Sequence, residues 1–327
     1  MVNATLFVVP VDFAPDMEAT VSAAFALAKA CGTHVQLLEV VSPRTRSLLG
    51  GRSHDGFGRP ITSQRDWSRL AASISAAERG GTHVRSVSYP GDPLTIIASY
   101  AQLKSARLLV MGKHYGTPRW RRNTGLVSTL SRAAPVPVLV LPVQQGVKRS
   151  APLSFSRIVS AVDFTVSSAV AVRTVLDLIR RTGARLTLVH ALENVPHPMT
   201  FSGGEALEVA RTLRARETQV AARLRRTIPA DVTVRVDARV TPGKPHRAIL
   251  DVASEVKADL IVMGVPPRNR IDDALFGSTL RHVLRGAEAS VLVVPVRTGA
   301  YAWLEETDET AWTPKTAARV KRPLEVK

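Results

Sequence analysis

Four landmarks occur twice in this chain, in the same order and at a nearly constant spacing, and this repeat limits the fold more than any other feature. Leu6-Phe-Val-Val-Pro-Val-Asp12-Phe13 returns as Ile158-Val-Ser-Ala-Val-Asp163-Phe164, 151 positions on. Pro90-Gly91-Asp-Pro93 returns as Pro242-Gly243-Lys-Pro245, and Arg107-Leu-Leu-Val-Met-Gly112 as Asp259-Leu-Ile-Val-Met-Gly264, both 152 on. Pro137-Val-Leu-Val-Leu-Pro142 returns as Ser290-Val-Leu-Val-Val-Pro295, 153 on. A period near 150 is far too long for a solenoid unit, so each copy is a domain. The expected boundaries are 1–143 and 156–296, with a polar linker at 144–155 that carries Gly146 and Pro152. Ser42–Gln64 reads as a long Gly/Arg loop, and 297–327, with Trp303 and Trp312, as a mobile tail.

Within each copy short apolar runs alternate with longer amphipathic stretches. In the second, strands are expected at Ile158–Val162, Arg185–His190, Val232–Val240, Leu260–Met263 and Val291–Val296. Helices are expected over Ser167–Arg181, Glu205–Thr227, Pro245–Val256 and Ser278–Gly286. Strands that alternate with helices predict an α/β fold: two tandem Rossmann-like domains, each a five-stranded, mainly parallel sheet with helices on both faces. Ligands of such sheets bind outside the carboxyl ends of the strands, where the strand order reverses. Asp163, Gly264 and their counterparts Asp12 and Gly112 are thereby placed on the binding rim.

The charge of +17 invites a nucleic-acid reading, but its distribution argues for another. It divides as +10 over residues 1–150, +6 over 151–296 and +1 over 297–327, and it is carried by arginines scattered over helix faces, such as Arg211, Arg214, Arg216, Arg223, Arg225 and Arg226. No aromatic-rich strand pattern of a single-strand reader accompanies it, so it is read as a solvated surface. With 45% apolar and 22% charged residues the chain has the composition of a soluble globular protein. No run approaches the ~18 apolar residues of a membrane helix, and the apolar N-terminus lacks a signal peptide's basic leader. Its one cysteine, Cys31, fits a reducing compartment and reads as an inert packing residue. Cytoplasmic location is expected. There is no histidine pair at metal-ligand spacing, no nucleophile elbow and no complete P-loop, so no residue set for hydrolytic or redox catalysis emerges.

The segment with chemical content runs Met263-Gly264-Val-Pro-Pro267-Arg268, then on to Gly277-Ser278-Thr279. A glycine just after a strand lets a ligand approach the backbone. A Gly-Ser-Thr that opens a helix would offer free N–H groups and the positive dipole end to a phosphate. Both features are also ordinary turn and cap chemistry.

Taken together, the strand ending in Val-Asp-Phe, the Gly-x-Pro turn, the strand ending in Val-Met-Gly and the closing Val-Leu-Val strand resemble the universal stress protein family, over roughly residues 4–143 and 156–296. The resemblance implies the family's fold, of the adenine nucleotide alpha hydrolase-like kind, and a stress-response or regulatory binding role. Nucleotide-binding members carry Gly, two residues, Gly, nine residues, Gly, then Ser or Thr. Copy two keeps the spacing, but Pro267 replaces the second glycine, and proline has neither an N–H nor a glycine's range of φ. Arg268 offers a side-chain substitute for phosphate, while Leu280 stands where a further hydroxyl is common. Nucleotide binding is thus left open. If it occurs, the resemblance implies that Ala161, Val162, Asp163 and Ala191 contact base and ribose. Met263, Gly264, Arg268, Gly277, Ser278 and Thr279 would then hold ribose and phosphates, with ATP as the cofactor and Mg accompanying it. Asp163 reads equally as a cap for the following helix.

Copy one runs Gly112-Lys113-His114-Tyr115-Gly116 to Gly125-Leu126, one residue short and without the serine, and its basic loop, Lys113 to Arg122, reads as solvated. This copy is expected to be degenerate as an ATP site. The family also implies that Val136–Leu141 and Val291–Val296 pair as an intramolecular pseudo-dimer, with a further homodimer open. The alternatives are a scaffold that binds no nucleotide and a weak ATPase, for which Asp163, Asp272 and Asp273 are the acids nearest Gly264.

Overall fold

Phe7, Val8 and Val9 are successive residues and all are buried, so the first strand is covered on both faces, as a parallel sheet requires. The computed structural model describes residues 6–13, 17–41, 64–113, 124–142, 155–193, 203–229, 235–266 and 273–296. Linker residues 144–154, the long loop at 42–63, the basic loop from His114 on, and the tail lie outside them. The chain divides into two units, Met1–Ser154 and Phe155–Lys327.

In the first unit the described elements are β1 (Leu6–Val11), α1 (Met17–Cys31), β2 (His34–Val41), α2 (Gln64–Arg79), β3 (Val84–Pro90), α3 (Pro93–Leu103), β4 (Leu108–Lys113), α4 (Thr124–Ala133) and β5 (Val138–Pro142). The second unit repeats the order as β6 (Arg157–Ala161), α5 (Val166–Thr182), β7 (Arg185–Leu192), α6 (Gly203–Arg226), β8 (Val236–Pro242), α7 (Pro245–Glu255), β9 (Leu260–Val265), α8 (Asp273–Gly286) and β10 (Ser290–Pro295). All strand pairs within each unit are parallel. Their order is β3-β2-β1-β4-β5 in the first unit and β8-β7-β6-β9-β10 in the second. The chain builds outward from β6 to β8, then returns to the other side of β6 as β9. The reversal opens the crevice between the carboxyl ends of β6 and β9.

The repeated Pro-Gly-x-Pro is one turn built twice. Gly91 (φ 147°) donates its N–H to the Val41 carbonyl at 3.1 Å, and Gly243 (φ 116°) to that of Leu192 at 2.9 Å. Positive φ at both explains the glycine, and Pro93 and Pro245 then start helices with their φ already set. The caps have diverged. Asp92 accepts from the Thr95 N–H at 2.9 Å, which holds its carboxyl below the ordinary value, whereas Lys244 makes no side-chain cap bond.

Four expectations change. The helix expected from Ser278 begins at Asp273, because Ala274 and Leu275 favour helix and extend it by more than a turn. Gly264 lies within β9 rather than after it. Cys31, expected to be packed, is the exposed last residue of α1. Lys113, expected in a solvated loop, ends β4 and is buried at 7% exposure. Burial alone pushes its amine down to about 7.

Candidate functional site

Sheet geometry brings the expected base-side residues of the second unit together. Ala161 ends β6 and pairs with Val189 of β7, which places Ala191 two residues further along the neighbouring strand. Beyond Ala161 the Val162 N–H still donates to the Val189 carbonyl at 2.8 Å, so the strand's last bond fixes where the chain leaves the sheet. Asp163 is exposed at that exit. Its Oδ1 accepts from the Thr165 N–H at 3.0 Å and from the Thr165 hydroxyl at 2.6 Å, an Asx turn. Thr165 in turn is the N-cap of α5, accepting from the Ser168 N–H. One carboxylate oxygen thus serves the helix start, and among the described residues the other makes no hydrogen bond.

The phosphate side differs from its expected form. A Cβ built on Gly264 would fall on the Ser167 carbonyl and 2.9 Å from the Ser168 nitrogen. The absent side chain makes room for the first turn of α5 to lie against β9. It is helix–strand packing that demands glycine here. Met263, beside it, is buried in β9. Gly277, Ser278 and Thr279 lie inside α8. Since only the first few N–H groups of a helix lack an internal acceptor, theirs are committed to the helix. Leu280, in the position of an expected hydroxyl, is 1% exposed and belongs to the core. Pro267 and Arg268 lie outside the described residues.

Several residues at the site had no distinguishing sequence signal. His190 of β7 carries its Nδ1 2.7 Å from the Val162 carbonyl. A carbonyl only accepts, so Nδ1 holds a proton and Nε2 presents the lone pair of the neutral ring. Burial pushes this imidazole below its ordinary value, against the Val162 carbonyl and the Asp163 carboxylate, with Arg223 and Arg216 adding to the fall. The Phe164 ring lies 4.8 Å from that of His190, and the Arg223 guanidinium from α6 sits 3.9 Å from the Phe164 centroid. Beside the other end, the His282 Nδ1–H donates to the Ser278 carbonyl at 2.6 Å, and its ring stacks on His246 of α7 at 4.4 Å. The His246 imidazole is pushed down by burial and by the neighbouring His282, Arg247 and Lys244. Among the described residues no three or more His, Cys, Asp or Glu are grouped to hold a metal ion.

A model of the universal stress protein family matches residues 6–142 and again 154–295, once for each unit. The chain belongs to the universal stress protein family. This universal stress protein is 36% identical over 112 residues to one from Thermus aquaticus, a match covering 34% of this chain and 78% of the relative. It is 25% identical over 140 residues to one from Methanocaldococcus jannaschii, covering 43% and 82%. The crystal structure of a universal stress protein from Archaeoglobus fulgidus superposes with a TM-score of 0.59 at 18% identity, over 89% of this chain and 96% of that one. A Pseudomonas aeruginosa protein of unknown function gives 0.53 at 17% identity, over 97% and 95%. These structural likenesses establish the fold. No described helix of this universal stress protein is long and apolar enough to cross a membrane.

Proposed function

We propose that the second unit is a regulatory adenine-nucleotide site, with ATP as its ligand, in a cytoplasmic stress-response protein whose first unit has lost that role. The observation that carries this reading is the β6–β9 crevice. Small residues stand at the ends of β6 and its neighbour β7, Ala161 and Ala191, and in this reading the exposed Asp163 offers its second carboxylate oxygen to a ribose hydroxyl. Aspartate is suited to that task because an ionised carboxylate accepts two hydroxyl donors. Mg would enter with the phosphates rather than through a protein cage. In the first unit the buried Lys113 stands where the second has Val265, and buried Glu39 where it has His190, which makes that crevice chemically different. The family's expectation of paired final strands, Val136–Leu141 with Val291–Val296, belongs to the same proposal.

A second reading, a scaffold without nucleotide, is favoured by the phosphate side, where Gly264 serves packing and Ser278 lies within α8. Calorimetric titration with ATP decides between them. The proposal expects one site per chain, with affinity reduced about tenfold or more in Asp163→Ala, the range for a lost charge-assisted hydrogen bond, and unchanged in Asp12→Ala. Binding that survives Asp163→Ala and fails in Asp12→Ala would assign the site to the other unit. No binding at all would favour the scaffold.

A further inference from the structure

The residue after the rim aspartate is a phenylalanine in both units, and both phenylalanines adopt a left-handed backbone: φ is 54° at Phe13 and 63° at Phe164. For a bulky residue this conformation is costly and persists only where the surroundings impose it. Against each ring lies a side chain from the same helix of the repeat, the one between the second and third strands. In the first unit Trp67 of α2 meets the Phe13 ring edge-on, at 5.0 Å and 76°. In the second, Arg223 of α6 lies 3.9 Å from the Phe164 centroid, well inside the ~6 Å reach of a cation–π contact. His190, tilted at 45° and 4.8 Å, holds the same ring. The side chain differs between the units while the helix and its target stay the same.

The consequence reaches the site because Phe164 stands between Asp163 and Thr165. The two hydrogen bonds from Thr165 to Asp163 close across it, so its backbone angle decides where the carboxylate points. We propose that Arg223 is a positioning residue, which clamps Phe164 from α6 and thereby holds the Asp163 turn in the form the crevice needs. Only its effect on affinity rests on the nucleotide reading; the clamp itself does not.

The test uses the full chain with Arg223→Met, which keeps an apolar stem and removes the cation. Arg223→Lys, which restores charge, and Arg214→Met, an exposed arginine on the same helix, serve as comparisons. Amide hydrogen exchange at Thr165 reports the turn directly. Arg223→Met is expected to speed it about three- to tenfold, in line with a cation–π contact, with Arg223→Lys between it and the wild type and Arg214→Met unchanged. The His190 titration midpoint, followed by its ring proton resonances, rises in Arg223→Met because a neighbouring positive charge is gone. ATP affinity falls by a similar three- to tenfold. Faster exchange in a protein that binds no ATP would overturn the nucleotide reading and leave the clamp standing. Thr165 exchange at the wild-type rate in Arg223→Met would overturn the clamp.

Discussion

Replacing Gly264 by alanine is expected to destabilise the second unit by about 3 kcal/mol, the upper end of the usual cost of overpacking, because the neighbour is rigid. The obstacle is backbone, not a side chain that can rotate away. The new methyl group would occupy the position of the Ser167 carbonyl and approach the Ser168 nitrogen to 2.9 Å. Relief requires α5 to lift from β9, and α5 brings Ala171, Val172 and Val175, all nearly fully buried, to the core. Gly204→Ala is the matched control. Nothing lies within 4 Å of a Cβ there, and the residue sits in α6, so alanine should be neutral or slightly stabilising. Thermal unfolding of the two variants checks the pair. A Gly264→Ala protein as stable as the wild type would mean that the helix does not rest on the strand as described.

Lys113→Met should change how the stability of the first unit depends on pH, because it removes a buried amine whose charged form is costly to bury. The sign follows from proton linkage. Burial lowers the folded amine from its ordinary value of 10.5 to about 7. Between those values the unfolded chain binds a proton that the folded chain does not, so wild-type stability rises with pH across that window. The variant lacks this dependence. Relative to the wild type it should therefore be most favoured near pH 7 and lose about 1–3 kcal/mol of that standing toward pH 10. Urea unfolding at several pH values measures it, and a difference that stays constant from pH 7 to 10 would contradict the assignment of cost to the buried amine.

The fold was legible because its signals are local and occur twice. Apolar runs such as Leu6–Val11 and Leu260–Val265 read as buried parallel strands, and the Pro-Gly-x-Pro turns mark where strands end and helices begin. Of the candidate site, what was legible is position alone: Ala161, Val162 and Asp163 fall at the end of β6, as the strand pattern predicts. Gly264 was singled out for a ligand's approach, yet its neighbour is the backbone of Ser167, nearly a hundred positions earlier, and no pattern within one segment records that contact. The same limit hid Arg223, whose target Phe164 is brought near by α6 packing rather than by sequence. The start of α8 was misplaced for a local reason: Gly277-Ser278 resembles a cap, but Ala274 and Leu275 before it sustain the helix. Lys113 was grouped with the arginines that follow it because charge runs are usually solvated, but it ends β4, a strand buried on both faces.

If the second unit is an adenine-nucleotide site as proposed, the small molecules that the purified protein carries will reveal it. The purified chain should be denatured and the released small molecules analysed by mass spectrometry, beside a Gly277→Glu variant that places a negative charge in the segment expected to face phosphate. ATP, ADP or AMP near one equivalent is expected from the wild type, and little from the variant. A wild-type protein that releases none and also fails to bind added ATP would contradict the proposal.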